Sequence, residues 1–208
     1  MSHARSGGLA GEAMRIAAGD DRSRYDAFGV ALHWTTAVLV VALFALSQIW
    51  EFLPKPERHP WIVAHMSFGV ILTAMIVIRI AWRLMPGHQV SPAVSGWVET
   101  ASKVVHYVLY ALLAAQALLG FALRWSGEKP ETMSFFGLEF GPFFPPSPKP
   151  LHEFFEESHE WIGWAIIIIA AGHAFAALYH HYALKDDVLW RMLPGRHARR
   201  AERDAPAP

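Results

Sequence analysis

Polar and apolar positions alternate on a coarse scale along this chain. Four stretches carry no Asp, Glu, Lys or Arg: Ala27–Trp50, Trp61–Ile78, Val104–Leu123 and Trp161–Leu184. Each runs about 18 to 24 residues, the length a helix needs to cross the hydrocarbon of a bilayer. The punctuation between them is clear. Leu53-Pro54-Lys55-Pro56 stops the first, and Pro60 suits the opening turn of the second. Arg83-Leu84-Met85-Pro86-Gly87 stops the second. Trp50, Trp61, Trp82, Trp97, Trp125 and Trp161 flank the spans, as an aromatic belt does. The pattern predicts an all-α membrane protein, a four-transmembrane-helix bundle over residues 25–194. A polar tail over 1–24 precedes it and a basic, polar tail over 195–208 follows. The first tail has no apolar core, so no cleaved signal peptide is expected. The third connection, Phe135-Phe136-Gly137-Leu138-Glu139-Phe140-Gly141-Pro142-Phe143-Phe144-Pro145-Pro146, is apolar but too rich in Gly and Pro for a helix. It reads either as a short flap over one end of the bundle or as a loop on the membrane surface.

Charge orients the bundle. Arg5, Arg15, Arg22 and Arg24, then Arg79, Arg83 and Lys103, then Lys185, Arg191, Arg196, Arg199, Arg200 and Arg203 fall on one side. Only Lys55, Arg58, Arg124, Lys129 and Lys149 fall on the other. Cytoplasmic loops carry the excess of Lys and Arg, so both termini are expected in the cytoplasm. Composition agrees with a membrane protein. Of 208 residues 53% are hydrophobic and 17% charged, with mean hydropathy +0.23, against about 25% charged in soluble domains. A net charge of zero argues against nucleic acid as a partner. There is no cysteine, which excludes thiolate-held iron–sulfur clusters, covalent c-type haem, disulfides and a Cys nucleophile.

Twelve histidines remain, and neutral histidine is a common metal ligand. In the fourth span His159 and His173 are 14 residues apart. That is close to four helical turns and a rise of about 21 Å, so both rings leave one face of one helix at two depths. Ionisable groups inside a membrane helix are costly and mark function. Two on one stripe suggest a ligand near each side of the membrane, and haem iron held by histidine is the leading candidate. The other helices supply histidines at the same depths. His33 lies about 9 Å to the cytoplasmic side of its helix centre, His65 about 9 Å to the periplasmic side, and His106 about 10 Å to the cytoplasmic side. The periplasmic layer then holds His65 and His159, one bis-histidine haem with nothing left over. The cytoplasmic layer holds His33, His106 and His173, one more than a haem requires. His106 is free to bond a propionate, serve a quinone or relay a proton. Gly69, Gly163, Gly172 and Gly120 lie near these positions and leave room for a porphyrin or for close helix packing. Arg79, 14 residues after His65, brings a cation to the cytoplasmic layer, where a propionate needs a partner. His152, His180 and His181 read as interfacial, and His3, His59, His88 and His197 as loop or tail residues.

From about Arg24 to Pro194 the chain resembles the bacterial cytochrome b561 family. The resemblance rests on Leu32-His33-Trp34, His65-Met66-Ser67-Phe68-Gly69, His106-Tyr107-Val108-Leu109-Tyr110 through Leu119-Gly120, His159-Glu160 through His173, and Ala176-Ala177-Leu178-Tyr179-His180-His181-Tyr182. It implies four helices, two b haems, and ligands on the first, second and fourth helices: His33 with His173, and His65 with His159. One position departs. The family commonly has Lys directly after the second-helix histidine, and this chain has Met66. The function implied is single-electron transfer across the bacterial inner membrane between a periplasmic donor and ubiquinone. The family includes superoxide oxidases, which makes superoxide the leading donor. A second expectation is a membrane-anchor cytochrome b subunit, exchanging electrons with a dehydrogenase or hydrogenase as its redox partner protein. A metal transporter using the same histidines is a third, disfavoured by the lack of intramembrane carboxylates.

Overall fold

The computed structural model describes residues 25–85, 95–129, 131–186 and 188–193. The N-terminal tail, the Pro86-Gly87 break with His88, and the C-terminal tail from Pro194 lie outside the described residues. Four long helices carry the fold: α1 (Ala27–Glu51), α2 (His59–Leu84), α3 (Trp97–Trp125) and α4 (Lys149–Tyr179). All four are long and apolar enough to cross a membrane. Their starts follow local chemistry. Asp26 caps α1, its carboxylate accepting from the Gly29 amide at 2.8 Å. Pro60 and Pro150 occupy the first turns of α2 and α4, where a missing N–H costs nothing. The helices outrun the charge-free stretches: α3 begins at Trp97 and α4 at Lys149, a polar turn or more earlier. A helix can leave the hydrocarbon and continue in the headgroup region, where water satisfies charged side chains.

The bundle is built as two helix pairs, α1 along α2 and α3 along α4, closed by looser contacts between α2 and α3 and between α1 and α4. At mid-height Leu43, Leu72, Ile76, Leu113 and Ile166 form a buried cluster drawn from all four helices. The outer faces stay apolar and uncovered, as at Val38, Val41, Val77, Leu118, Ile168 and Phe175. That inverts the soluble pattern, because lipid is the solvent. Hydroxyls are satisfied within their own helices: Thr36 donates to the Leu32 carbonyl at 2.6 Å and Thr73 to the Gly69 carbonyl at 2.9 Å.

The connection from α3 to α4 contains a two-stranded hairpin, β1 (Met133–Phe135) and β2 (Leu138–Phe140), antiparallel with Met133 opposite Phe140. Its turn places Phe136 at φ +48° and Gly137 at φ +90°. The tip is pinned to α2, where the fully buried Ser67 accepts from the Phe136 amide at 2.9 Å. Gly141 follows at φ +77°, and a Cβ there would stand 2.6 Å from Trp125 Nε1, so glycine is required by conformation and by space. Of the two readings of this connection, a flap over one end or a loop on the membrane surface, the structure shows a β-hairpin seated on α2. After Tyr179, α4 passes into one π-turn, His180–Leu184, ended by Lys185 in the left-handed region at φ +57°. A short 3₁₀ turn at Trp190–Met192 then lies against α1, with Trp34 Nε1 donating to the Met192 carbonyl at 2.6 Å.

Candidate histidine sites between the helices

The four helices bring the intramembrane histidines together in two groups. At the hairpin side the ring centroids of His65 and His159 are 6.3 Å apart, with planes crossed at 72°. At the other side those of His33 and His173 are 6.4 Å apart, crossed at 79°. Two imidazoles holding one iron from opposite faces stand about 6 Å apart, twice the sum of a metal–nitrogen bond of about 2 Å and a ring radius of about 1 Å. Both pairs match that spacing. His106 joins the second group, but its ring is 4.9 Å from that of His173, too close to admit a metal ion between them.

Hydrogen bonding sorts the rings further. The Nδ1 of His65 is 3.0 Å from the Leu43 carbonyl and that of His106 is 2.7 Å from the Ser102 carbonyl. A carbonyl only accepts, so Nδ1 carries the hydrogen in each and Nε2 keeps its lone pair. The Nδ1 of His33 instead faces Arg79 Nη2 at 3.0 Å. A guanidinium only donates, so in this arrangement His33 Nδ1 accepts. His159 Nδ1 is buried with no hydrogen-bond partner among the described residues. Arg79 itself is 9% exposed; its Nε donates to the Tyr110 hydroxyl at 2.6 Å, and its Nη1 has no partner among the described residues.

The surroundings suit a flat prosthetic group at each pair. A Cβ added at Gly69 or at Gly172 would meet nothing within 4 Å, leaving open space one turn from His65 and beside His173. At Gly120 a Cβ would reach within 3.3 Å of His159 Cε1, and at Gly163 within 3.3 Å of Gln116 Nε2. The glycines that read as small residues around a porphyrin therefore divide into two that leave space and two that permit close approach. The paired rings, and the nitrogens of His159 and Arg79 that have no partner among the described residues, fit a haem on each side.

The remaining histidines take structural places. His152 Nδ1 is 2.9 Å from Ser126 Oγ. His180 Nδ1 is 2.5 Å from an Asp186 carboxylate oxygen, and the His181 ring is 5.1 Å from that of Trp190. Burial of the Asp186 carboxyl opposes ionisation, yet the bond to His180 and the Val188 amide leave its pKa below the usual carboxylate range. On the hairpin the Thr132 hydroxyl, with help from Ser134, holds the Glu139 carboxyl below its usual range. Arg124, at the end of α3, is engaged: Nη1 meets Glu131 at 2.5 Å and Nε donates to the Thr132 carbonyl at 2.9 Å. Lys129 is exposed.

Three residues near the sites escape a search for histidines. Gln116 Nε2 donates to the His159 carbonyl at 2.9 Å, Tyr110 holds Arg79, and Ser67 anchors the hairpin. Gln116 had a signal, being the one amide in an otherwise apolar span where no water can satisfy it. Tyr110 and Ser67 had none, because their partners are distant in sequence.

Comparison with known proteins finds relatives along most of the chain. The family described as prokaryotic cytochrome b561 matches residues 24–195. Cytochrome b561 homolog 2 of Escherichia coli K12 is 32% identical over 173 residues, 82% of this chain and 91% of that protein. Cytochrome b561 homolog 1 of the same organism is 31% identical over 183 residues, 84% of this chain and 99% of the relative. A protein of Yersinia pestis named probable superoxide oxidase CybB is 27% identical over 173 residues, covering 82% and 96%. With the match spanning all four helices and both histidine pairs, the chain belongs to the prokaryotic cytochrome b561 family: it is a multi-pass membrane protein of electron transfer, in a family that implies b-type haem.

Proposed function

We propose that this protein is a dihaem cytochrome of the bacterial inner membrane, passing electrons singly from a periplasmic donor to the ubiquinone pool. The observation that carries it is the twofold recurrence of crossed histidine rings at the spacing of a bis-histidine iron, 6.3 Å and 6.4 Å. His65 and His159 hold one haem, His33 and His173 the other, and each haem supplies a one-electron carrier when bound. The rise of about 21 Å between His159 and His173 sets the vertical separation of the two sites. Between them Leu43, Leu72, Ile76, Leu113 and Ile166 exclude water and ions. The excess of Lys and Arg puts the His33 side in the cytoplasm and the hairpin in the periplasm.

Superoxide is the leading donor, supported by the name of the Yersinia pestis relative. The purified protein is expected to contain two non-covalent b haems per chain, both six-coordinate and low-spin. Haem quantification with a reduced-minus-oxidised visible spectrum tests this; one haem per chain, or a five-coordinate high-spin signal, counts against it. One observation favours a second reading, an anchor subunit serving a protein partner. Arg124, the cation nearest the end of α3, is paired with Glu131, and Glu153, Glu156, Glu157 and Glu160 crowd the same side. That field is poor for attracting an anion.

A further inference from the structure

The hairpin between α3 and α4 reaches further along the bundle than a surface loop does. Its tip is tied to Ser67, whose Oγ accepts from the Phe136 amide at 2.9 Å and lies 3.4 Å from the Ser134 carbonyl. Ser67 is fully buried and stands eight residues inside α2, about 12 Å along from the helix start at His59. A second contact gives the same depth. His65, two residues before Ser67, meets the Leu43 carbonyl, and Leu43 lies eight residues short of the end of α1 at Glu51. The base of the hairpin sits at another level. Arg124, at the end of α3, pairs with Glu131, and the Glu139 carboxylate accepts from the Thr132 hydroxyl within the field of Arg124 and His59. The hairpin thus has a polar base at the helix ends and an apolar tip, Phe135-Phe136-Gly137-Leu138, about two helical turns farther in.

One face of the hairpin meets protein and the other does not. β1 packs on α2 and α3, where Met133 and Ser134 are buried. Phe136 is 61% exposed and Leu138 70% exposed. Exposed helix residues such as Leu118, seven residues short of the end of α3, face lipid in a membrane protein, and the tip continues that surface. We propose that the hairpin is re-entrant, with Phe136 and Leu138 among the acyl chains of the leaflet on its side and Glu131 and Glu139 at the headgroups. Non-helical backbone is tolerated at such depth only where protein satisfies its polar groups. The pairing of β1 with β2 and the Ser67 hydroxyl supply partners here, which gives a buried hydroxyl in α2 its purpose. Aromatic side chains in the tip are favoured in lipid and disfavoured in water. A soluble partner approaching this side meets the polar base, while the tip meets lipid. The inference holds whether the protein binds one haem or two.

The chain has no cysteine, so a single introduced thiol carries a nitroxide label at one place. The full-length protein is labelled at Phe136→Cys, Leu138→Cys, Glu131→Cys or Leu118→Cys and reconstituted in vesicles of phosphatidylethanolamine and phosphatidylglycerol. Power saturation then compares oxygen, which concentrates in hydrocarbon, with a water-soluble nickel chelate. At Phe136→Cys and Leu138→Cys the oxygen effect should exceed the nickel effect several-fold, as at the lipid-facing Leu118→Cys. At Glu131→Cys the order should reverse. The Phe136 ring is 5.9 Å from that of Phe68, so replacing it disturbs the seat of the hairpin. Leu138→Cys leaves that contact and the Ser67 bond in place, and it decides wherever the two tip positions differ. A nickel effect at Leu138→Cys equal to that at Glu131→Cys overturns the proposal, because the tip then stands in water. A label there that neither reagent reaches also overturns it, because the tip is then covered by a second copy of the chain or another protein.

Discussion

A histidine ring inside a bilayer has two nitrogens and no water, so each must find a partner or a metal. His65 and His106 spend Nδ1 on a backbone carbonyl, and His33 receives a guanidinium instead. The 4.9 Å between His106 and His173 leaves no room for iron between those two rings, and under the proposed assignment His106 is a neighbour of the second site. His65→Ala and His159→Ala are therefore expected to lose the same haem, halving haem content. His33→Ala and His173→Ala should lose the other, and His106→Ala should retain both. Haem quantification with spectra of each variant decides it; a haem lost from His106→Ala and kept in His33→Ala would move the ligand to α3. The candidate histidines were legible because ionisable side chains stand out in apolar runs. Which Nδ1 meets which partner was not, because Leu43 and Arg79 come from other helices or other turns.

Helices were readable from length and apolarity, but their ends were not. Lys149–Glu160 is polar, yet it is the opening of α4, continuous with the span beyond. Hydropathy marks where the hydrocarbon ends, not where hydrogen bonding stops. The hairpin was less legible still. Its strands are three residues each, too short for alternation to show, and its seat on Ser67 is a contact across 69 residues. Local chemistry nevertheless adds to it through Glu139, whose carboxylate accepts from the Thr132 hydroxyl. That carboxyl titrates below its unfolded value. Its stabilisation is complete above the unfolded pKa of about 4.3 and is lost as pH falls through the depressed folded value. Hydrogen exchange at the hairpin amides, compared with Thr132→Val at each pH, should show extra protection in the wild type at neutral pH that vanishes in acid. Extra protection that does not change as the carboxyl is protonated would show that the ionised Glu139 is not its source.

At the scale of the whole molecule the question is what approaches the hairpin side. Three of its five cations are engaged by neighbours: Arg58 lies 3.8 Å from Glu51, Arg124 2.5 Å from Glu131, and Lys149 3.3 Å from Glu153. Under the superoxide reading a local positive field must still exceed the carboxylates near the haem edge. Stopped-flow reduction of the oxidised protein by superoxide should then slow with added salt. Glu131→Gln, which unpairs Arg124, should raise the rate several-fold. A rate that climbs with salt means the anion is repelled overall, and the anchor-subunit reading takes precedence.

The sequence by itself determined the four spans, the two depths of histidine and the family. Each of these depends on spacing along a single helix or on an apolar run, and a regular helix converts spacing directly into position. Only the tertiary structure decided which histidine faces which, that His106 crowds His173, that Arg124 is bound to Glu131, and that the Phe-rich connection folds onto α2 as a hairpin. It also decided that Gln116 and Arg79 reach one pair each. Those are contacts between elements, fixed by how the helices rotate and pack against one another, and that rotation depends on side chains from all four helices at once.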